Sequence, residues 1–205
     1  MAYEYDIFLS YKRHPRWEKW IDRHFLPMLT QYLGEELPRE PKIFKDTSTI
    51  QTGDSWPLRL ARGVSQSRVM ISLWSPRYFR SRWCRSELGL MLCREEQCGL
   101  RTPEKPHGLV LPVALHDCEG DSLPPRVRSL AAQMECYQSL SGASMGEDTP
   151  GAEELERRIR EWAPSVARAI QRAPEHDAAW LGQSAEELQQ QLEAQIRGTK
   201  FVGLR

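Results

Sequence analysis

The sequence predicts an α/β protein built around a parallel β-sheet, and two of its patterns point to this fold class. Short apolar segments alternate with segments whose apolar residues recur at helical spacing, which is typical of β-α-β units. Three of the apolar segments, residues 5–10, 68–74 and 109–114, are apolar almost throughout, as expected for strands that are covered on both faces. Ligands of such sheets bind beyond the carboxyl ends of the strands, so the residues at those ends are the candidates for function.

Two further segments complete the predicted sheet. Residues 42–45 form a short apolar segment between the segments 5–10 and 68–74, so 68–74 becomes the third strand. Residues 134–137 form a weaker segment after 109–114. The five segments together predict a five-stranded sheet.

Three helices are predicted between the strands. In residues 17–33 the apolar side chains follow the 3.6-residue period of an amphipathic helix. Residues 54–64 suit a short helix with Asp54 or Ser55 as its N-cap. Residues 82–98 suit a third helix, directly after the third strand and a Ser-Pro break.

The composition changes after Leu140. Small polar residues predict a loop, and residues 152–171 then carry the apolar stripe of an amphipathic helix. A polar helix is predicted over 184–197, where Ser184 and Glu187 form a capping box. Its narrow apolar stripe is typical of a helix that docks on a partner or on its own domain.

The overall composition excludes several functional classes. Acidic and basic residues balance at 28 each in 205 residues, so the net charge predicts no direct nucleic-acid partner and no attraction to an anionic membrane. The apolar segments are too short to span a bilayer, and no secretory signal is visible at the N-terminus. The five cysteines form no CxxC pair, which predicts reduced thiols, no metal site and a cytoplasmic protein.

Three sequence blocks follow one another at the predicted strand ends. The first is DIFLSY from Asp6, the second is FKDTSTIQTGDSW from Phe44, and the third is ISLWSPRYFRSRWCRSEL from Ile71. With these blocks in this order, the chain resembles a TIR domain over residues 4–140, and over the following helix to 171. The resemblance implies a five-stranded, flavodoxin-like parallel sheet with helices on both faces. It predicts a TIR domain over residues 1–171 and a helical C-terminal extension or tail over 172–205.

The resemblance also assigns the residues of a candidate site. Some TIR domains cleave NAD+ between nicotinamide and ribose, and these carry a glutamate on the helix after the third strand with an aromatic residue one turn earlier. Here those residues are Glu87 and Trp83, which share one helix face because they are four residues apart. The expected substrate-binding residues around the catalytic Glu87 are Trp83, Ser10, Tyr11, Lys12, Arg13, Phe44 and Asp46. The loop 46–55 corresponds to the BB loop, with assembly residues Thr49, Ile50, Gly53 and Asp54.

The residue types suit this chemistry. Cleavage of the nicotinamide–ribose bond passes through an oxocarbenium-like transition state, as in glycoside hydrolysis, and a carboxylate stabilises its positive charge. Nicotinamide is a good leaving group, so one carboxylate suffices without a general acid. A tryptophan offers a flat face to the ribose or the ring, and Lys12 and Arg13 suit phosphate charge. The alternatives are that Trp83 anchors the core and that the basic pair is only a solvated turn.

No GxGxxG or Walker A motif occurs in the sequence, so NAD+ is expected as a substrate and no cofactor is expected. The resemblance implies a homo-oligomer formed through TIR–TIR contacts, a regulatory or sensor protein as a possible partner, and a role in antiphage or innate immune defence. The product is left open between ADP-ribose and a cyclic isomer.

Two other functions remain as alternatives. The chain is a non-catalytic TIR interaction scaffold or a mimic of host adaptors if Glu87 is not used. A flavodoxin-like receiver or electron carrier is disfavoured because Asp6 lies at the start of its strand, away from the ligand-binding edge.

Overall fold

The computed structural model describes residues 2–45, 56–115 and 150–184, together with 127, 130, 135, 136 and 186. Its sheet contains the strands β1 (Tyr5–Tyr11), β2 (Ile43–Lys45), β3 (Ser67–Trp74), β4 (Val110–Ala114) and β5 (Glu135–Cys136). All paired strands run parallel, in the order β2-β1-β3-β4-β5. The predicted five-stranded parallel sheet is confirmed.

Both faces of the sheet are covered, as the continuous apolar strands predict. Val69, Met70 and Ile71 follow one another on β3, and each is 0% exposed. Because consecutive side chains of a strand point to opposite faces, neither face of the sheet is open to solvent at this strand.

The helix that follows β1 is longer than predicted and changes its geometry in the middle. It begins as α1 (Pro15–Trp20), passes through a π-helical turn (Ile21–Phe25) and continues as α2 (Leu26–Glu36). In the π turn the N–H of Leu26 donates to the carbonyl of Ile21, five residues earlier. Pro27 lies directly after it and has no N–H for the carbonyl four residues back, which explains the wider turn here.

The helices after β2 and β3 are α3 (Trp56–Ser65), α4 (Pro76–Arg80) and α5 (Arg82–Gln97). The predicted N-cap of α3, Asp54 or Ser55, lies outside the described residues. The short α4 was not predicted, because its single turn has no periodicity to detect; Ser75 caps it by accepting from the N–H of Tyr78 at 3.2 Å.

The last described elements form a long helix and a segment that returns to the domain. Helix α6 (Pro150–Arg172) packs against α2, whereas α3 packs against α5. After α6 a break is followed by a short helical segment at 179–184, whose Trp180 ring covers the guanidinium of Arg94 at 4.8 Å. The polar helix predicted over 184–197 lies outside the described residues apart from 184 and 186, and the domain boundary at 171 stays a prediction. Over the described ranges, no helix combines the length and apolar character needed to cross a membrane.

The topology creates a crevice at one edge of the sheet. Strands β1 and β3 lie side by side, with Ser10 opposite Ser72 and Tyr11 opposite Leu73. After β1 the chain continues into α2, which packs against α6. After β3 it continues into α5, which packs against α3. The chain therefore leaves the carboxyl ends of two neighbouring strands toward different layers, which is where sheets of this kind bind ligands.

Candidate active site

A cleft of about 380 Å³ opens at the carboxyl end of β1, between this strand and the start of α5. Its lining combines one acidic side chain, three cations, aromatic rings and a thiol. The lining residues are Phe8, Leu9, Tyr11, Lys12, Arg13, Ser81, Arg82, Trp83, Cys84 and Glu87.

Helix α5 brings Glu87 and Trp83 to this cleft together. The helix begins at Arg82, so Trp83 lies in its first turn and Glu87 one turn later on the same face. The side chain of Trp83 is half-buried, whereas Glu87 is only 7% exposed. A buried carboxylate must keep hydrogen-bond partners, because its desolvation is otherwise costly.

Two hydroxyl groups orient the Glu87 carboxylate from behind the cleft. Ser10 Oγ donates to Glu87 Oε2 at 2.6 Å, and the Tyr78 hydroxyl lies 2.9 Å from the same Ser10 oxygen. Because Ser10 has a single hydroxyl proton and donates it to Glu87, the Tyr78 O–H is the donor to Ser10. The three groups form a buried chain in which each bond polarises the next.

Tyr78 remains a donor in this chain over the physiological pH range. Its side chain is fully buried, and burial raises the pKa of its hydroxyl well above the usual value, with Cys84 and Glu87 adding to the rise. A phenol with such a pKa keeps its proton near pH 7. Tyr78 therefore keeps donating to Ser10 near pH 7, and its titration does not alter the orientation of Glu87.

Cys84 also lines the cleft but is poorly suited to act as a nucleophile. Burial, followed by the negative charge of Glu87, raises the pKa of its thiol to about 12. The thiolate is the reactive form of cysteine, so at neutral pH Cys84 is present as the inert thiol. Cys84 is therefore not a candidate nucleophile, and Glu87 is the acidic side chain among the residues that line the cleft.

The rim of the cleft is positively charged. Lys12 and Arg13 follow β1 directly and are exposed, and the guanidinium of Arg82 lies 4.9 Å from the centre of the Trp83 ring. A ligand with anionic groups would meet these cations on its way to Glu87.

The remaining sequence-predicted residues are placed differently. Tyr11 lines the cleft, with Lys45 above its ring at 5.9 Å. Ser10 is 1% exposed and reaches the cleft only through Glu87. Phe44 is not brought to the cleft wall: its ring stacks on Phe8 at 5.2 Å and fills the space beside Gly63, where a Cβ atom would lie 2.7 Å from it.

The loop residues of the prediction lie outside the described part of the chain. These are Asp46, Thr49, Ile50, Gly53 and Asp54, and their assignments stay predictions. Among the residues that the structure describes, no group of three or more histidine, cysteine or acidic side chains is arranged to hold a metal ion.

Sequence reasoning missed Tyr78, Arg82 and Cys84 as parts of the site. Cys84 and Arg82 flank Trp83, so their proximity follows once the start of α5 is known. Tyr78 is brought to Ser10 across 68 residues, and no local pattern reports such a contact.

Asp6 is a structural residue at the opposite edge of the sheet. Its carboxylate accepts from both terminal nitrogens of Arg39, at 2.7 and 2.8 Å, and from the N–H of Lys42 at 2.9 Å. These bonds hold the start of β1 to the segment that leads into β2. A phosphoacceptor role, as in a receiver domain, does not suit this position.

The chain matches a known family model and is similar to two solved structures. The model of a family described as TIR domain matches residues 7–149, which is more than half of the chain. A crystal structure of the TIR domain of the Toll-related receptor TRR-2 from Hydra magnipapillata is 17% identical, covering 76% of this chain and 98% of that one with a TM-score of 0.46. The TIR domains in the structure of the activated Roq1 resistosome, which directly recognizes the pathogen effector XopQ, are 22% identical, covering 93% and 99% with a TM-score of 0.38.

Proposed function

Because the chain belongs to the TIR domain family, we propose that it is a member that consumes NAD+ by cleaving the nicotinamide–ribose bond. The observation that supports this most is the Glu87 carboxylate, which lies at the wall of a cleft and is held by the hydroxyl of Ser10 at 2.6 Å. A helical glutamate without a function is more often exposed to solvent, because an exposed carboxylate has no desolvation cost. Here the chain buries the carboxylate at 7% exposure and supplies it with a donor.

In the proposed reaction the ribose C1′ lies beside Glu87. The C1′–nitrogen bond breaks, its electron pair stays on the nicotinamide nitrogen, and nicotinamide leaves as a neutral molecule. Positive charge develops on the ribose, where the carboxylate stabilises it in a site of low dielectric constant. Water then adds to C1′ and loses a proton to solvent, which gives ADP-ribose.

The other cleft residues bind and position the substrate in this proposal. Trp83 offers a ring face beside Glu87 for the ribose or nicotinamide. Lys12 and Arg13 at the rim suit the diphosphate. A cyclic product forms if a nitrogen of the adenine adds to C1′ in place of water, and the balance depends on how far the bound ADP-ribose excludes water.

The wider role proposed here is that of a cytoplasmic immune protein which acts as an assembly. Loop residues 46–55 would contribute TIR–TIR contacts between copies of the chain. A sensor or regulatory protein would then control activity by controlling assembly.

We expect Glu87→Gln and Glu87→Ala to abolish NAD+ cleavage. Loss of the carboxylate removes the charge that stabilises the transition state, and turnover should fall by about 10²–10³-fold or more. Concentrated protein is incubated with NAD+, and the released nicotinamide and its co-product are identified by chromatography with mass detection. Glu96→Gln is the matched control, because Glu96 is an exposed glutamate on the same helix.

Nicotinamide release by wild type and Glu96→Gln, but by neither Glu87 variant, is the expected outcome. Equal turnover by Glu87→Gln and wild type would remove Glu87 from the catalytic role. Absence of turnover from wild-type protein that has assembled would instead favour the interaction scaffold.

A further inference from the structure

A second cleft lies beside the first at the same edge of the sheet. It has a volume of about 540 Å³ and is formed where the chain leaves β1 toward α1 and leaves β3 toward α4. The two clefts have no lining residue in common, but Arg13 of the first precedes His14 of the second, and Arg80 of the second precedes Ser81 of the first. Both clefts are therefore lined by the chain segments that follow β1 and β3.

The second cleft concentrates positive charge in a chain whose net charge is zero. Arg16, Arg77 and Arg80 line it, and none of its lining residues carries a carboxylate. All three arginines are exposed, and within the described ranges none of them forms an ion pair. Some arginines elsewhere in the molecule are paired, as in the contacts of Arg39 with Asp6 and of Arg101 with Glu95, both at 2.7 Å.

Unpaired guanidinium groups that share a cleft suit a phosphorylated ligand. The planar fork of a guanidinium matches the oxygen atoms of a phosphate and donates two parallel hydrogen bonds to it. The local potential also attracts an anion before contact is made. Phosphate is therefore the group that these three side chains would bind best.

The same cleft holds an aromatic surface. Trp17 lines it and is half-buried, and its ring is supported edge-on by Trp20 with 6.1 Å between the ring centres. A supported indole face stacks on nucleobases of any type. A ring beside three guanidinium groups thus provides for both parts of a nucleotide.

We propose that this second cleft binds a nucleoside 5′-phosphate, with the phosphate on Arg77, Arg80 and Arg16 and the base on Trp17. The ligand is either the adenylate half of the NAD+ proposed for the Glu87 cleft or a separate nucleotide that binds on its own. Only the first of these rests on the proposed enzymatic function. Binding itself needs no turnover.

The test is calorimetric titration of the full chain with AMP. Wild type is compared with the double variant Arg77→Gln, Arg80→Gln and with the control Arg85→Gln, Arg160→Gln, which removes the same charge from exposed arginines outside both clefts. Loss of charge-assisted bonds should weaken AMP binding about tenfold for each guanidinium, and the control should bind as wild type does. Thermal melting of each variant verifies that it is folded.

Four results would overturn the proposal or part of it. Absence of AMP binding by folded wild-type protein at millimolar concentration excludes the site, and so does binding that Arg77→Gln, Arg80→Gln leaves unchanged. Inorganic phosphate that binds as tightly as AMP, or a Trp17→Ala variant that binds AMP as wild type does, excludes the nucleoside part.

Competition then identifies the source of the ligand. In the Glu87→Gln variant, which is expected not to consume the dinucleotide, NAD+ displaces AMP if the two clefts hold the two halves of one molecule. If both bind together, the second cleft is a separate nucleotide site. Either result is compatible with AMP binding, and a failure of catalysis would leave the AMP titration unaffected.

Discussion

A carboxylate at the wall of a cleft acts on a substrate only if its direction is fixed, and two hydroxyl groups fix that of Glu87. The bond from Ser10 at 2.6 Å is shorter than an ordinary neutral hydrogen bond, as is usual for a hydroxyl that donates to a charged oxygen. Tyr78 in turn fixes the rotation of the Ser10 hydroxyl. In the proposed reaction neither residue has to touch the substrate, so both would be positioning residues.

We expect Ser10→Ala to lower the proposed NAD+ turnover mainly through kcat, by about tenfold to a hundredfold, with KM nearly unchanged. The carboxylate remains but is free to rotate away from the ribose. Tyr78→Phe should have a smaller effect in the same direction, because the bond from Ser10 to Glu87 survives. Steady-state kinetics on both variants measure the split.

Ser72→Ala is the control for these variants. Ser72 pairs with Ser10 in the sheet register and is equally buried, but its Oγ has no hydrogen-bond partner among the described residues. Its removal should leave kcat unchanged. If Ser72→Ala lost as much activity as Ser10→Ala, the loss would come from removing a buried hydroxyl at this position of the sheet. It would then give no evidence for the bond between Ser10 and Glu87.

The sequence predicts the part of the site that lies within one helix. Glu87 and Trp83 are four residues apart, so helix geometry alone places them on one face. The contact of Glu87 with Ser10 joins residues 77 positions apart and depends on how α5 packs on the sheet. Phe44 shows the same limit, because its position near the end of a strand suggested the cleft, whereas its ring stacks on Phe8 and packs beside Gly63 of α3.

At the scale of elements, a buried arginine joins the end of α3 to the start of β3. Arg94 on α5 is 4% exposed, and its terminal nitrogens donate to the carbonyl oxygens of Ser67 at 2.8 Å and Ser65 at 3.3 Å. Burial lowers the pKa of its guanidinium. The arginine supplies donors to carbonyl groups that the last turn of a helix leaves unsatisfied.

Replacement of Arg94 by methionine should destabilise the fold by about 2–4 kcal/mol. Several buried carbonyl groups would lose their donor, and the shape of the side chain is largely kept, so the loss reports mainly on hydrogen bonding. Urea denaturation of Arg94→Met and of Arg85→Met measures the difference. Arg85 is exposed on the same helix, and equal stability of the two variants would show that Arg94 has no such role.

The regular elements could be predicted more completely than their irregular parts. Apolar periodicity located α5 and α6 to within about two residues, because packing of an apolar face determines a long helix. The π turn before Pro27 and the single-turn α4 depend on individual backbone hydrogen bonds. Such bonds leave no periodic trace in the sequence.

At the scale of the whole molecule, the chain after α6 folds back onto the start of the chain. The ring of His176 packs edge-on against Tyr3 at 5.1 Å and against Trp180 at 5.8 Å, and the Tyr3 hydroxyl donates to the carbonyl of Pro174 at 2.8 Å. Both ring nitrogens of His176 are buried without a partner within the described part of the chain. Burial lowers the pKa of His176, and the positive charge of Arg94 lowers it further.

Acidification should therefore loosen this contact. The folded state disfavours protonated His176, so stability is complete above the ordinary histidine pKa of 6.5 and is lost as the pH falls from there through the lower folded-state pKa. Hydrogen exchange of residues 173–184 at pH 7.5 and pH 5.0 measures this, with lower protection factors expected at pH 5.0 once each rate is divided by the intrinsic rate at that pH. His176→Phe keeps the ring but cannot be protonated, and an equal loss of protection in that variant would assign the effect to another group.

Activity of the proposed enzyme should rise with its own concentration. If assembly completes the site, NAD+ turnover per chain increases more than linearly as copies associate. Turnover measured across a hundredfold dilution series, beside light scattering of the same samples, tests this. Turnover per chain that stays constant while the scattering mass changes would show that a single copy is sufficient.

The uneven placement of charge has a consequence for how the molecule meets other solutes. At long range the chain acts as a molecule without net charge, because its 28 acidic and 28 basic residues cancel. Its two clefts carry six cationic side chains and one carboxylate, so the attraction for an anion begins only within about one Debye length, ~8 Å at physiological salt. A long polyanion would not be attracted from a distance, whereas a small anion that diffuses into the crevice would be attracted by these side chains.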